Sequence, residues 1–182
     1  MKLRLIFGLL LMTLFSCNPS KDKKVDQTTI SFKTDDSSKL YFKNVRQNAY
    51  DVQVMEEAKL EVYRYKKRVE ESEGPIINLA LVNNWRFDEA YVLLEPNQAT
   101  GDLNSLKLTY NNEAGEAGTI EFINGNKQNH LNFALAVYEQ IQNESEFKLI
   151  KDDRRLDILR DSKSQEAFRI TMFDYLRLVR GL

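Results

Sequence analysis

One histidine, His130, and one cysteine, Cys17, are the chain's whole supply of its most versatile catalytic side chains. Any serine–histidine or histidine-base chemistry would have to pass through His130. No serine lies in a Gly-x-Ser-x-Gly setting. With Asn129 read as a helix N-cap, His130 falls in the first turn and is expected to be partly exposed. Two residues cannot supply the three protein ligands of a histidine–cysteine zinc site. Acid–base work then falls to carboxylates. A glycosidase-type pair needs two of them, about 5–10 Å apart. The candidates are Asp88 and Glu89 beside Trp85, and Glu95 at a strand end. With 27 acidic residues in the chain, a pair alone carries little weight. Asp152-Asp153 abuts Arg154-Arg155 and reads as a salt-bridged turn. No EF-hand spacing occurs, and Gly115 and Gly118 have acidic neighbours unsuited to a phosphate cradle. Neither a metal nor a cofactor is expected.

Two further stretches could bind rather than react. Tyr63-Arg64-Tyr65-Lys66-Lys67-Arg68 interleaves aromatics with bases. Such a stripe suits nucleic acid in a cytoplasmic protein and anionic headgroups in an exported one. Its plainer reading is a solvated face balanced by Glu70, Glu71 and Glu73. Asn83-Asn84-Trp85-Arg86-Phe87 places the only tryptophan in a predicted turn with an arginine and a phenylalanine. Tryptophan and arginine are enriched at binding hot spots. Alternatively, Trp85 folds over the core edge and Arg86 pairs with Asp88.

The elements that position these residues are read from periodicity. Ile30-Ser31-Phe32 suggests a short strand, and Asp35 to Ser38 a turn. Leu40 to Val45 is rich in aromatic and branched residues and reads as a strand. Residues 51–71 fit either period: Met55, Ala58, Val62, Tyr65 and Val69 are helically spaced, whereas Leu60 to Arg68 alternates. The strand at 60–68 is favoured, because a meander follows. Pro75–Val82 and Ala90–Leu94 form a hairpin of buried strands. Leu106–Tyr110 and Thr119–Ile123 form another. A helix then buries Leu131, Phe133, Ala134, Leu135, Val137, Tyr138 and Ile141. Phe147–Ile150 and Leu156–Leu159 are short strands. Ser162 to Gln165 fits a capping box for a last helix burying Phe168, Met172, Tyr175, Leu176 and Val179. The predicted fold class is α+β: an antiparallel meander, a helix, a short hairpin and a C-terminal helix packed on the sheet.

Ahead of the domain, Lys2 and Arg4 precede an uncharged run from Leu5 to Phe15, and the run ends in Leu14-Phe15-Ser16-Cys17. A basic start followed by a short apolar stretch is the secretory pattern, and about 20 apolar residues would be needed to span a bilayer. The motif resembles the lipobox of bacterial lipoproteins, processed by the signal peptidase II class. The resemblance covers only residues 1–17 and transfers only to Cys17. It implies removal of residues 1–16 and lipidation at Cys17, so that the acylated cysteine holds the protein on a lipid bilayer. More than one acyl chain gives stable anchoring. By the sorting rule of that class, Asn18 after the cysteine favours the outer membrane. The composition is similar to that of Bacteroidota proteins, whose surface-displayed lipoproteins carry an acidic patch after the cysteine. Here Ser20-Lys21-Asp22-Lys23-Lys24 is mostly basic, which implies a periplasm-facing position.

Composition bounds the rest. Loss of Lys2 and Arg4 lowers the basic count from 26 to 24 against 27 acids, a formal charge of −3. That is too little to imply a nucleic-acid partner. Residues 17–38 are expected to be the lipidated cysteine and a flexible tether, of which the twelve residues 18–29 would span about 20 Å. A single domain over 39–182 follows. Three functions remain open. The favoured one is a non-enzymatic binding or assembly accessory engaging an envelope protein or glycan. The others are a carboxylate hydrolase of envelope glycans and a structural role at the membrane surface.

Overall fold

Period-two alternation decides the first half of the domain. The structure, a computed structural model, describes residues 30–180. Strands β1 (Tyr50–Met55), β2 (Leu60–Tyr65), β3 (Ile77–Asn84) and β4 (Glu89–Pro96) form an antiparallel meander in sequence order. Tyr63 stands opposite Leu81, and Leu81 opposite Val92, so these three share the core face. One residue away, Val62, Val82 and Tyr91 align on the opposite face. There they form a small apolar cluster with Ala80, Leu60 and Leu93.

A second sheet follows. Strands β5 (Ser105–Asn111), β6 (Ala117–Ile123), β7 (Glu146–Lys151) and β8 (Arg154–Ile158) lie in the order β6-β5-β7-β8. Leu108 faces Ile120 on one side and Leu149 on the other, all three in the core. The outer face is ionic, with Lys107 paired to Glu121 at 2.9 Å and Lys148 to Asp157. Asp152 and Asp153 both adopt positive φ, 49° and 59°. They close β7 and β8 as a two-residue turn whose backbone suits the strand twist.

Two long helices join the sheets. Helix α2 (Lys127–Gln142) lies against β4 and β6, and α3 (Ser162–Leu178) lies against β3, β4 and α2. Their apolar stripes contribute Leu131, Phe133, Val137, Tyr138, Phe168, Met172 and Tyr175 to one shared core. Each fully buried side chain of this size contributes roughly 1.5–3 kcal/mol. The fold is α+β, with the predicted meander broken after β4 into two sheets. The late hairpin β7–β8 joins the second sheet through β5. Among the described residues, no helix is long and apolar enough to cross a membrane.

Four local expectations are corrected. Leu40 to Val45 is helical, not extended: α1 (Asp36–Tyr41) continues as a wider turn over Phe42–Arg46. Asp35 caps it by accepting the Ser37 and Ser38 N–H groups. The pay-off is Phe42, which the helix places in the core with its ring centroid 5.0 Å from that of Tyr63 and 5.6 Å from that of Tyr50. Second, residues 30–38 belong to the folded body rather than the tether. The Ala90 N–H donates to the Phe32 carbonyl and the Thr34 N–H to the Asp88 carbonyl, both at 2.8 Å. Third, Asn126 caps α2, and Asn129 occupies the third helical position, reaching back to the Asn126 N–H. Fourth, Asp161 caps α3 through the Ser164 N–H, while Gln165 donates to the Leu159 carbonyl. Between residues 51 and 71, the strand reading holds for β2, and β1 adds an unforeseen partner.

Candidate functional site

The β3–β4 turn, residues 85–88, is tied down from three directions. On one side the Trp85 N–H donates to the Lys59 carbonyl in the β1–β2 turn, at 3.2 Å. On another, Lys33 Nζ donates to the Phe87 carbonyl at 3.0 Å, next to the Thr34–Asp88 backbone bond. From α1, Lys39 Nζ donates to Asp88 Oδ1 at 2.8 Å. Asp88 itself takes a left-handed backbone, φ 51°, which aspartate tolerates. The result is a stiff platform for exposed side chains. Phe87 is 54% exposed, and the Arg86 guanidinium lies over its ring, 5.4 Å from the centroid. Trp85 is half-buried. Arg86 therefore meets Phe87, while Asp88 is taken by Lys39.

The three candidate carboxylates sit in ion pairs. Glu89 accepts from Lys127 Nζ at 2.6 Å and lies 3.2 Å from Lys33 Nζ. Glu95 is held by Arg64, whose Nε and Nη2 reach it at 2.7–2.9 Å. The Lys39 ammonium holds the Asp88 carboxyl below its ordinary range, and Lys127 does the same for Glu89. A general acid needs the opposite shift. These groups are arranged as structural ties. Glu89 and Glu95 also stand at opposite ends of β4, with their side chains engaged by different elements.

The Tyr63–Arg68 stretch is not a stripe. Alternation turns Tyr63 into the core, 1% exposed, where its hydroxyl donates to Glu61. Burial and that bond push the Tyr63 hydroxyl pKa well up. Tyr65 is half-buried, with its ring 5.6 Å from that of Tyr50. Arg64 points to the other face, toward Glu95. Arg68 pairs with Asp51 at 2.9 Å and with Glu70. Lys66 donates to the Asn48 carbonyl and, like Lys67, is exposed. Of the six, the two lysines alone offer exposed charge.

His130 is buried, against the expectation of a first-turn surface residue. The shift of the helix start from 129 to 126 carries it inward. Its Nδ1 accepts the Leu94 N–H at 3.2 Å, and its ring packs 5.0 Å from Phe122. Burial lowers its pKa. Among the described residues, no hydrogen bond joins it to a serine.

One polar cluster had no signal in the sequence. Asp174, on α3, is buried and accepts from Arg46 Nε at 2.8 and 3.0 Å and from the Tyr50 hydroxyl at 2.6 Å. The partners lie more than 120 residues apart in the chain, so no local pattern announces them. The cluster docks α1 and β1 onto α3. Among the described residues, no group of three histidine, cysteine, aspartate or glutamate side chains could hold a metal ion. A cleft of about 270 Å³ runs between residues 69–77 and 157–164, and none of the sequence candidates lines it. Cys17 and the leader lie outside the described residues. Comparison of the chain with protein-family models, curated proteins and solved structures returns no match.

Proposed function

We propose that the protein is a lipid-anchored accessory of the bacterial envelope that captures another envelope protein through its Trp85–Asp88 turn. The observation that carries this reading is the exposed Arg86–Phe87 pair on a turn fixed by Lys33, Lys39 and Lys59. Exposed aromatic and arginine side chains are the residues from which binding hot spots are built. Fixing them before binding reduces the ordering cost of association. The lipobox-like Leu14-Phe15-Ser16-Cys17 supplies the anchor in this reading. Asn18 and the basic stretch after it support placement on the outer membrane facing the periplasm. The glycan-hydrolase alternative would have to draw on Asp88, Glu89 and Glu95, which are occupied by Lys39, Lys127 and Arg64. The membrane-surface alternative would draw on Lys66 and Lys67 alone.

The test is crosslinked capture from native membranes, comparing wild type with an Arg86→Ala, Phe87→Ala double variant. A stoichiometric partner that is lost in the variant supports the reading. A partner retained by the variant contradicts it.

A further inference from the structure

Sheet edges expose unpaired backbone groups, and folded proteins cover or charge them. Strands β4 and β8 follow that rule here. Along β4, the outward Ala90 N–H is taken by Phe32 and the outward Leu94 N–H by His130. Strand β8 carries Arg154, Arg155 and Asp157 among its five residues. Strand β1 does not follow it. Among the described residues, only β2 pairs with it.

The register shows which backbone groups are free. The Lys66 N–H donates to the Ala49 carbonyl, so residues 49 and 66 form a hydrogen-bonded pair. Alternation along an antiparallel ladder then turns the backbone groups of Asp51, Gln53 and Met55 toward β2. Those of Val52 and Val54 and the Tyr50 carbonyl point outward, while the Tyr50 N–H donates to the Gln47 carbonyl. The side chains beside this free edge are apolar: Val52, Val54 and Met55 are 39%, 51% and 42% exposed. The single charge on the strand, Asp51, is engaged by Arg68.

We infer that β1 pairs antiparallel with β1 of a second copy of this chain, joining two four-stranded sheets into one of eight strands. The strand is self-complementary about Val52. With the two-fold axis there, Val52 exchanges both backbone bonds with its own counterpart, and the Tyr50 carbonyl accepts the Val54 N–H of the other copy. Asp51 then faces Gln53, so no like charges meet. The flanks are complementary as well. Beyond the paired strands, the acidic turn Glu56-Glu57 of one copy runs toward the Gln47–Ala49 turn of the other, where Lys66 donates to the Asn48 carbonyl and Lys67 is exposed. An isologous contact of this kind closes on itself and does not propagate into a fibre. It also gives the exposed lysines of the 63–68 stretch a role that needs no lipid.

Light scattering on the full-length protein in detergent, across a dilution series, tests the pairing. The wild type is expected to be a dimer. Val52→Lys sets two ammonium groups against each other at the axis and is expected to weaken dimerisation by at least about tenfold, with circular dichroism unchanged. A second variant needs no loss of binding. Val52 pairs across the axis at about 5.5 Å between Cα atoms, a separation that a disulfide spans. Val52→Cys is therefore expected to form a covalent dimer under mild oxidation, well above an Ile123→Cys control on β6. A wild-type monomer at all concentrations overturns the inference. So does a dimer unaffected by Val52→Lys and not trapped by Val52→Cys, or a strand of a different protein found on β1.

Discussion

His130 Nδ1 accepts the backbone N–H of Leu94 at 3.2 Å, so a helix side chain closes what a neighbouring strand would otherwise close on β4. The bond requires a neutral ring with its proton on Nε2, because a nitrogen that carries a proton cannot accept. Burial acts in the same direction by lowering the ring's pKa.

The sign of the resulting pH dependence follows. The unfolded chain takes up a proton near the ordinary histidine pKa of about 6.5, before the folded protein does. Stability from this residue is complete above that pH and is lost as the pH falls from there toward the lower folded value. The urea midpoint is expected to drop between pH 7.5 and pH 5, above the range to which Lys39 and Lys127 lower Asp88 and Glu89. His130→Gln, which keeps an acceptor and has no titration, is expected to flatten that drop. An equally steep drop in the variant would show that another group is responsible.

Asp174 makes a second prediction. Its side chain is 1% exposed and relies on Arg46 and Tyr50 for its hydrogen bonds. Arg46→Ala strands a buried carboxylate and is expected to cost about 3 kcal/mol or more by chemical denaturation. Tyr50→Phe removes one bond to the same charge and is expected to cost about 1.5–3 kcal/mol. Arg46→Ala costing less than Tyr50→Phe would mean that the salt bridge is not what docks α1 onto α3.

The anchor is tested at Cys17. Cys17→Ser is expected to abolish metabolic labelling by fatty acid and to move the protein from the membrane to the soluble fraction, with far-UV circular dichroism unchanged. A serine variant that stays with the membrane would place the attachment elsewhere.

Periodicity exposed most of the fold because burial on one face imposes it. The hairpin β3–β4, the strands β5 to β8 and the stripes of α2 and α3 all leave two-residue or helical spacing in the sequence. Leu40 to Val45 misled for a physical reason. Aromatic and branched residues favour strands only where a pleated surface is available, and here the segment buries Phe42 alone and leaves Leu40 and Val45 exposed. The Asp35 cap was the signal that pointed the other way. His130 was misplaced because the reciprocal cap is built from two asparagines, Asn126 and Asn129, rather than the usual serine or threonine with glutamate. The candidate turn was legible as Trp85-Arg86-Phe87, but its stiffness was not. The residues that fix it, Lys33, Lys39 and Lys59, come from three other elements. The carboxylates looked free for the same reason: Arg64 is 31 residues from Glu95, and Lys127 is 38 from Glu89.

The central claim is that Arg86 and Phe87 hold a partner. Both are exposed, so replacing them with alanine is expected to change stability by no more than about 0.5 kcal/mol. The most direct measurement is crosslinked capture from native membranes by wild type and by the Arg86→Ala, Phe87→Ala variant, with both proteins shown to melt alike. The account predicts one stoichiometric partner with wild type and none with the variant. The same partner at the same yield with both proteins would contradict it.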